Sequence, residues 1–404
     1  MTRFPRWRRT AGTTLVAAVA VALIAVPGSQ AAPTGTGNVL KVWAPEYMAT
    51  SAAPMTKSLA VATAQHFDVI IAKPNTYARY VAAMHTANPA LQIFAYVNGM
   101  YAGSNQANAF PAGWYEYDSS GAKVRSVFYG NYLMDPTSSG WIANRAKLCQ
   151  QVIASSGYDG CGLDTLGAAA VSNTGYVTGF PINKATNGPW TMNGWLQTTT
   201  QVAAAIRRAT APHPLAGNGI ADGPSYFFPT APTSQLFAGL DVGMAEGFLR
   251  VGRAPLLPYP SATAWKQNVD MLANAGAQGH RLVVVTKVWN TGTQAQKDAW
   301  HKYALASFLL GTTGSSYFSF LYDESLDPAT YSPWWSTSLG APAGPYFLRQ
   351  AGVYERDFAT GMALVNPTGN SATVNLGGTY RTLDGRTVSL LTLGPTSGEV
   401  LTKS

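Results

Sequence analysis

The prediction of the fold starts from the stretch GYDGCGLDTLG, residues 157–167. Gly157 suits a helix C-cap, where a left-handed backbone is needed, and a helix is predicted to end just before it. A short strand follows and carries one carboxylate, Asp164, at its C-terminal end. Glycines lower strand propensity, so those in this strand indicate close approach of backbone or ligand. A strand-end carboxylate is where an α/β barrel places its chemistry, although Asp164 could equally cap the next segment or make an Asx-turn.

Predicted strands alternate with predicted helices on both sides of this stretch. The strands are apolar runs, which indicates burial on both faces of a parallel sheet. Eight of them predict an α/β fold, a (β/α)₈ TIM barrel. An open doubly wound sheet is the alternative, but the Gly-rich phosphate turn expected of it does not follow either of the first two strands. Besides the Asp164 stretch, the strands are predicted at 40–44, 67–72, 91–97, 214–217, 239–245, 281–286 and 316–321, and the main helices at 56–66, 77–87, 141–155, 195–209, 262–275 and 295–310.

The chain divides into three predicted segments. Residues 1–31 combine a basic start, an apolar run and a small-residue cleavage site, which predicts a signal peptide and a secreted, extracellular protein. The pair Arg8 and Arg9 leaves both the general secretory route and twin-arginine export open. Residues 32–345 form the predicted barrel. Short strands separated by turn signals at 346–404 predict a small C-terminal antiparallel β-sandwich.

Composition narrows the class of partner. The net charge is +8, and the four arginines of the first segment account for half of it, which leaves a mild +4 on the mature chain. The chain has no run of Lys or Arg that would indicate nucleic-acid binding. No apolar stretch after the first segment approaches the length of a membrane span. Charged and aromatic residues each make up 11% of the chain, a balance common in extracellular carbohydrate-active proteins.

The chain has two cysteines, Cys149 and Cys161. In an oxidising compartment they can pair and tie the helix before Asp164 to its strand, which would stabilise the fold by about 2–3 kcal/mol. Two buried free thiols are the alternative. The absence of neighbouring histidines makes a metal site a poor explanation, and no other His, Cys or acid cluster has metal-ligand spacing.

The candidate active site consists of the residues at the C-terminal ends of the strands. Asp164 and Glu246 follow strands four and six, and two carboxylates flanking a scissile bond are what glycoside hydrolysis needs. Glu246 lies in an apolar sequence, which is expected to raise its pKa and suit it to proton donation. A salt bridge from Glu246 to Arg250 or Arg253 is the structural alternative. The other strand-end candidates, expected to bind substrate, are Glu46, Lys73, Asn98, Asn218, Lys287 and Asp323 with its neighbour Glu324. The two lysines could instead pair with the carboxylates, and Asp323 and Glu324 could instead cap a loop.

Aromatic residues cluster in the same loops. Sugar rings present apolar C–H faces that stack on aromatic rings, while amides, lysines and acids bind the hydroxyls. We therefore expect Trp43, Tyr96 and Trp289 to contact substrate, with packing in the core as the alternative. The remaining loop aromatics are Tyr101, Trp114, Tyr129, Trp334 and Trp335.

Four short motifs carry a resemblance to a known family. They are AYVNG at 95–99, MDP at 134–136, GCGLD at 160–164 and AEG at 245–247. Together they resemble the hypothetical glycosyl-hydrolase-like family numbered fifteen, within the α-galactosidase superfamily of barrels, and the closing segment resembles the β-sandwich that follows many such barrels. The resemblance implies that Asp164 is a nucleophile and that Glu246 is a proton donor.

These observations predict a secreted glycoside hydrolase that cleaves O-glycosidic bonds of a poly- or oligosaccharide with net retention. We expect it to act as a monomer without a cofactor. A catalytically inactive barrel that binds polysaccharide outside the cell is the alternative function.

Overall fold

A computed structural model describes residues 39–48, 54–173, 175–252, 254–289, 292–323 and 331–404. The predicted signal peptide at 1–31, Arg253 and Glu324 lie outside the described residues.

Eight parallel strands form the centre of the fold, and their spatial order is their order in the chain. A bridge between Val42 and Phe318 joins the first strand to the last, and the Phe318 N–H donates to the Lys41 carbonyl at 2.8 Å. The predicted (β/α)₈ barrel is therefore confirmed. The strands are β1 (Trp43–Ala44), β2 (Val69–Ala72), β3 (Gln92–Asn98), β4 (Gly160–Asp164), β5 (Leu215–Asn218), β6 (Val242–Ala245), β7 (Arg281–Lys287) and β8 (Ser316–Leu321).

Five of the described helices of the barrel begin at a serine or threonine whose side chain caps the first turn. Thr191 accepts a hydrogen bond from Gly194 N–H at the start of the helix Met192–Thr210, three residues earlier than the sequence suggested. Thr293 forms a capping box with Gln296 at the start of the helix Gln294–Gly311. None of the described helices is both long enough and apolar enough to cross a membrane. The helices are α1 (Lys57–His66), α2 (Val81–Ala87), α3 (Ser139–Ser156), α4 (Ala169–Ser172), α5 (Met192–Thr210), α6 (Gly223–Tyr226), α7 (Ala262–Ala277) and α8 (Gln294–Gly311).

The glycines around β4 have the two roles that the sequence predicted. Gly157 ends α3 in the left-handed conformation, with φ at 70°, and its N–H donates to the Ile153 carbonyl. At Gly160 an added Cβ would lie 2.3 Å from the Pro214 carbonyl oxygen and 2.9 Å from the Phe94 ring. Only glycine allows β4 to lie this close to its neighbours.

A disulfide joins Cys149 of α3 to Cys161 of β4, as predicted. Both residues are fully buried. The bond fixes the strand that ends in Asp164 to the helix that precedes it.

Two long loops leave the C-terminal ends of β3 and β4 and pair with each other. The loop after β3 contains a hairpin, in which Tyr117 bridges to Lys123, and a second antiparallel bridge from Arg125 to Tyr132. Ser126 also bridges to Val177, which lies in the loop after β4. The two loops are thus joined by backbone hydrogen bonds at the C-terminal face of the barrel.

The C-terminal segment folds as one antiparallel sheet of six strands. One of its faces has a small core of its own, and the other packs on α8, where an added Cβ at Gly398 would lie 3.0 Å from the Ala306 side chain. The buried Arg356 guanidinium donates to the carbonyls of Leu309 and Leu310 at the end of α8, at 3.1 and 3.0 Å. The strands are β9 (Phe347–Leu348), β10 (Tyr354–Phe358), β11 (Gly361–Asn366), β12 (Ala372–Thr382), β13 (Thr387–Leu393) and β14 (Ser397–Lys403).

Candidate active site

Asp164 is the last residue of β4, and three donors surround its carboxylate. The Tyr96 hydroxyl donates to Oδ2 at 2.6 Å, while the Asn218 amide and the Thr165 N–H donate to Oδ1 at 2.9 and 2.7 Å. Thr165 has a positive φ of 66°, which is uncommon for a residue other than glycine and often marks a functional site. Its hydroxyl donates to the Asn98 side chain at 3.0 Å, which helps hold this turn in place.

Glu246 directly follows β6 and binds two different donors. The Lys287 ammonium lies 3.1 Å from Oε2, and the Tyr47 hydroxyl donates to Oε1. The alternative salt bridge to Arg250 is not formed, because that guanidinium donates to backbone carbonyls, including Gly252 at 3.0 Å. Glu246 keeps 28% of its side-chain surface exposed, so solvent and ligands have access to it.

The tyrosines that donate to the two carboxylates stack on each other. The ring centroids of Tyr47 and Tyr96 are 4.9 Å apart and the rings are nearly parallel, at 6°. Both rings pack on the apolar interior of the barrel, so they form part of the floor of its mouth. One stacked pair therefore supplies a hydroxyl to each acid.

The contacts of the two carboxylates place them beside each other. The stacked Tyr96 and Tyr47 donate to Asp164 and Glu246 respectively. The Asn218 amide donates to Asp164 at 2.9 Å and also acts to lower the pKa of Glu246. The two acids therefore lie close together at the mouth of the barrel.

The environment separates the acidities of the pair. Burial raises the pKa of Asp164, and the negative charge of Glu246 raises it further, against the bonds from Tyr96, Asn218 and Thr165. Burial also acts to raise the pKa of Glu246, but the Lys287 charge and the hydrogen bonds to the carboxylate outweigh it and lower that pKa. This result corrects the expectation that an apolar setting raises the pKa of Glu246, because Lys287 lies against the carboxylate. The two shifts have opposite directions, so Asp164 binds a proton more readily than Glu246 in the ligand-free site.

Several of the predicted substrate-binding residues lie around this pair. Tyr96, Asn218 and Lys287 contact the carboxylates directly, and the Lys287 ammonium lies 4.9 Å from the centroid of the Trp289 ring. Asn98 has a positioning role in this structure, because its side-chain oxygen accepts hydrogen bonds from Tyr101 N–H at 2.7 Å and from Thr165.

The remaining predicted residues differ in burial and in the contacts that they make. Trp43 is fully buried and donates its indole N–H to the Val284 carbonyl at 2.8 Å, so its position does not fit a sugar contact. Glu46 is also buried, and its charge helps to raise the pKa of Tyr77, which burial raises most. Lys73 is exposed at the end of β2. Asp323 is 56% exposed and lies 3.3 Å from the Lys297 ammonium.

Sequence reasoning missed two tyrosines of the site. Tyr47 lies in a single 3-10 turn, Glu46–Met48, directly after β1, and its position beside the strand-end Glu46 was the available signal. Tyr176 lies in the loop after β4, and both carboxylates help to raise its pKa, which burial raises most. No local signal marked Tyr176, because its position depends on pairing between two distant loops. Among the described residues, no cluster of His, Cys, Asp and Glu could hold a metal ion.

An eight-stranded parallel barrel with two neighbouring acids at its C-terminal mouth is an arrangement that suits a protein of the glycoside hydrolase type. The chain belongs to the family described as Hypothetical glycosyl hydrolase family 15, which matches residues 80–362. No functionally curated protein matches the chain in sequence.

Solved structures of carbohydrate-active enzymes share this fold. The maltogenic α-amylase AmyB from Thermotoga neapolitana aligns with a TM-score of 0.52 at 9% identity, over 90% of this chain and 99% of its own. A GH27 β-L-arabinopyranosidase from Geobacillus stearothermophilus aligns with a TM-score of 0.50 at 13% identity, over 90% and 96%. A pullulanase from Anoxybacillus sp. LM18-11, solved with maltotriose, aligns with a TM-score of 0.52 at 8% identity, over 91% and 70%. At these identities the likeness shows the fold alone.

Proposed function

We propose that this protein is a retaining glycoside hydrolase in which Asp164 is the nucleophile and Glu246 is the general acid and base. The observation that carries the proposal is that two stacked tyrosines at the mouth of the barrel, Tyr96 and Tyr47, each donate a hydrogen bond to one of the two carboxylates. Two acids that face one space, which is open to solvent on one side, can act on a glycosidic bond held between them. Membership of a glycosyl hydrolase family supports the same reaction class.

The contacts of the pair support retention. Retaining enzymes hold their carboxyl groups about 5–5.5 Å apart, and inverting enzymes about 6.5–9.5 Å apart. The rings of Tyr47 and Tyr96, whose hydroxyls each bind one acid, stack with their centroids 4.9 Å apart. This stack favours the shorter spacing.

In the proposed reaction, an Asp164 oxygen bonds to the anomeric carbon while the bond from that carbon to the leaving oxygen breaks. Glu246 gives its proton to the leaving oxygen. Water then attacks the anomeric carbon, Glu246 takes a proton from this water, and the bond between Asp164 and the sugar breaks. The three donors around Asp164 stabilise its carboxylate as the leaving group of the second step.

The ligand-free electrostatics place one demand on these roles. In the ligand-free site the pKa of Asp164 is raised and that of Glu246 is lowered, whereas the first step needs Asp164 ionised and Glu246 protonated. The proposal therefore requires substrate binding to reverse the order of the two acidities. The opposite assignment, in which Glu246 attacks and Asp164 donates the proton, is the alternative that the free site favours, and identifying the labelled residue decides between them.

The test uses activity and covalent labelling together. A panel of p-nitrophenyl glycosides first identifies a cleaved sugar, and we expect Asp164→Asn and Glu246→Gln each to lower kcat by at least about 100-fold. Asp384→Asn, an exposed acid of the C-terminal sheet paired with Lys302, is the matched control and should keep full activity. Incubation with the 2-deoxy-2-fluoro glycosyl fluoride of the same sugar, followed by peptide mapping, should place the label on Asp164. A label on Glu246 reverses the roles, and full activity in Asp164→Asn refutes the assignment.

Binding of polysaccharide without catalysis is the second candidate function. The close contact of Lys287 with Glu246 favours it, because a carboxylate held by a cation is a poor proton donor. Retention of the wild-type protein by a polysaccharide gel, with no release of reducing sugar from that polysaccharide, would support this alternative.

The proposal includes export from the cell and a poly- or oligosaccharide substrate. The basic and apolar features of residues 1–31 support export, and so does the disulfide, because such bonds persist in oxidising compartments. Mass spectrometry of protein recovered from the culture medium should show an N-terminus at Ala32. Recovery of the intact N-terminus from the cytoplasm would contradict export.

A further inference from the structure

Three aromatic residues, Phe128, Tyr129 and Tyr176, form a surface that we call the rim platform. Phe128 and Tyr129 are 62% and 72% exposed, and Tyr129 is the most exposed large apolar side chain within the described part of the chain. The Phe128 ring lies 5.9 Å from the Tyr176 ring and 6.5 Å from the Tyr129 ring. Apolar rings that remain this exposed together often mark a binding surface.

The backbone under the platform is well ordered by hydrogen bonds. Ser126 N–H donates to the Asn131 carbonyl at 2.8 Å, and Gly130 N–H donates to the Ser126 carbonyl at 2.9 Å, which closes a turn around the two exposed rings. Val127 N–H donates to the Tyr176 carbonyl at 3.0 Å, which fixes this turn to the loop after β4. The rings therefore project from a fixed turn, and their ordering on binding a ligand costs little free energy.

The platform lies at the same face of the barrel as the candidate active site. The loop with Phe128 and Tyr129 leaves the C-terminal end of β3, and the loop with Tyr176 leaves β4 directly after Asp164. The charges of Asp164 and Glu246 act together with burial to raise the pKa of Tyr176. Tyr176 therefore belongs to the loop that leads from the site to the platform.

We propose that the rim platform stacks against a pyranose ring of the substrate chain, at a sugar unit that does not react. The flat C–H face of a pyranose matches exposed aromatic rings, and the path from the carboxylates to the platform gives one chain contact with both places. The substrate is therefore a glycan of several units, and binding of a remote unit is used to hold the reacting one. This inference rests on the proposed function for the position of the scissile bond.

The test measures glycan binding separately from catalysis. In an Asp164→Asn background, affinity electrophoresis through gels containing pullulan, starch, galactomannan or arabinogalactan measures retardation by each polysaccharide. We expect retardation by at least one of them, and an association constant lowered at least about tenfold by Phe128→Ala with Tyr129→Ala. Phe347→Ala, which removes an exposed aromatic from the C-terminal sheet, is the matched control and should leave retardation unchanged.

In the active protein, the same double substitution should lower kcat/KM on the retarding polysaccharide at least about tenfold and change that on the p-nitrophenyl glycoside less than about twofold. Equal losses on both substrates would show a collapsed turn and overturn the platform. The platform would also be overturned if none of the polysaccharides retarded the protein. The same conclusion would follow if a polysaccharide retarded the double variant as much as the protein without the double substitution. Loss of self-association on sedimentation, with glycan binding unchanged, would instead assign the surface to contact between copies of the chain.

The two proposals fail separately. Electrophoresis of the Asp164→Asn protein does not depend on turnover, so the absence of any glycosidase activity refutes the hydrolase and leaves the platform to be judged by retardation alone. Conversely, if the enzyme is active but its retardation does not change when Phe128 and Tyr129 are replaced, the proposed function stands and the platform is refuted.

Discussion

At the residue scale, each carboxylate of the candidate site has a phenol of its own. Tyr96 donates to Asp164 and Tyr47 donates to Glu246. Burial, together with the neighbouring acids, raises the pKa values of both tyrosines well above their usual range, so both remain protonated donors at any working pH. The stacked rings therefore favour the ionised form of two acids without adding a charge.

Removing the Tyr96 hydroxyl tests this role. Tyr96→Phe deletes a donor that lowers the pKa of Asp164, so that pKa should rise further and the acidic limb of the pH profile of kcat/KM should move to higher pH. A hydrogen bond to a charged group contributes about 1.5–3 kcal/mol, which corresponds to roughly a 10- to 150-fold loss in kcat/KM near the acidic limb. The measurement is the pH profile on the best p-nitrophenyl glycoside.

Tyr101→Phe is the matched control for this substitution. Tyr101 is a neighbouring buried tyrosine whose hydroxyl has no hydrogen-bond partner among the described residues. Its removal should leave the acidic limb in place. If Tyr96→Phe shifts the limb no more than Tyr101→Phe, the Tyr96 hydroxyl does not control the ionisation of Asp164.

At the element scale, the glycine content of β4 is a packing requirement. Gly160→Ala would place a Cβ against the Pro214 carbonyl, a backbone atom that cannot move without shifting β5. We expect the free energy of unfolding to fall by about 1–3 kcal/mol, measured by urea denaturation. Gly113→Ala, where nothing lies within 4 Å of the added Cβ, is the control and should be close to neutral. Equal stability of the two variants would show that β4 and β5 can separate freely.

The sequence predicted the elements of the barrel well because their signals are local. Most of the barrel strands are apolar runs, and their burial on both faces follows from that composition. The sheet at the C-terminus is harder to predict. The glycines at 377 and 378 suggest a turn between two strands, but β12 runs through both, and the φ of 69° at Gly377 marks an irregularity inside one strand. β14 gives little strand signal because its sequence, SGEVLTK, has little apolar content of its own.

The site was predictable only as far as strand ends define it. Asp164 and Glu246 follow from their strands, and the structure brings them together. The sequence does not show which side chains bind these two carboxylates. The direction of Tyr47 depends on a 3-10 turn, and the partner of Glu246 comes from β7. Trp43 shows the opposite error, since an aromatic near a strand end can point into the barrel and be wholly buried.

At the scale of the whole molecule, a buried acid helps to join the two long loops. Glu116, in the loop after β3, accepts a hydrogen bond from the Trp190 indole at 3.0 Å, and its second oxygen has no partner among the described residues. Burial raises the pKa of Glu116 to about 8, and the nearby Asp135 adds to the effect, against Trp190 and Lys184. The folded protein therefore favours the neutral acid.

This shift makes stability depend on pH. Because the pKa is higher in the folded state than in the unfolded state, the stabilisation is complete below about pH 4.5 and is lost as pH rises towards about 8. The slope in that window is at most about 1.4 kcal/mol per pH unit. In Glu116→Gln this part of the slope should disappear, as measured by urea denaturation at pH 5, 6, 7 and 8.

Asp118→Asn is the matched control, because this acid of the same hairpin is exposed and its pKa is lowered by the Ser120 hydroxyl, so it is ionised throughout the window. Its slope should match that of the wild type. Parallel curves for Glu116→Gln and the wild type would show that Glu116 titrates in the folded protein as it does in the unfolded chain.

The pairing of the two loops through Ser126 and Val177 has a practical consequence for protein engineering. The segments that carry the rim platform cannot be exchanged one at a time, because each supplies the backbone partners of the other. A graft intended to change the accepted glycan should therefore transplant both loops as a single cassette, with β3 and β4 left in place as its anchor points.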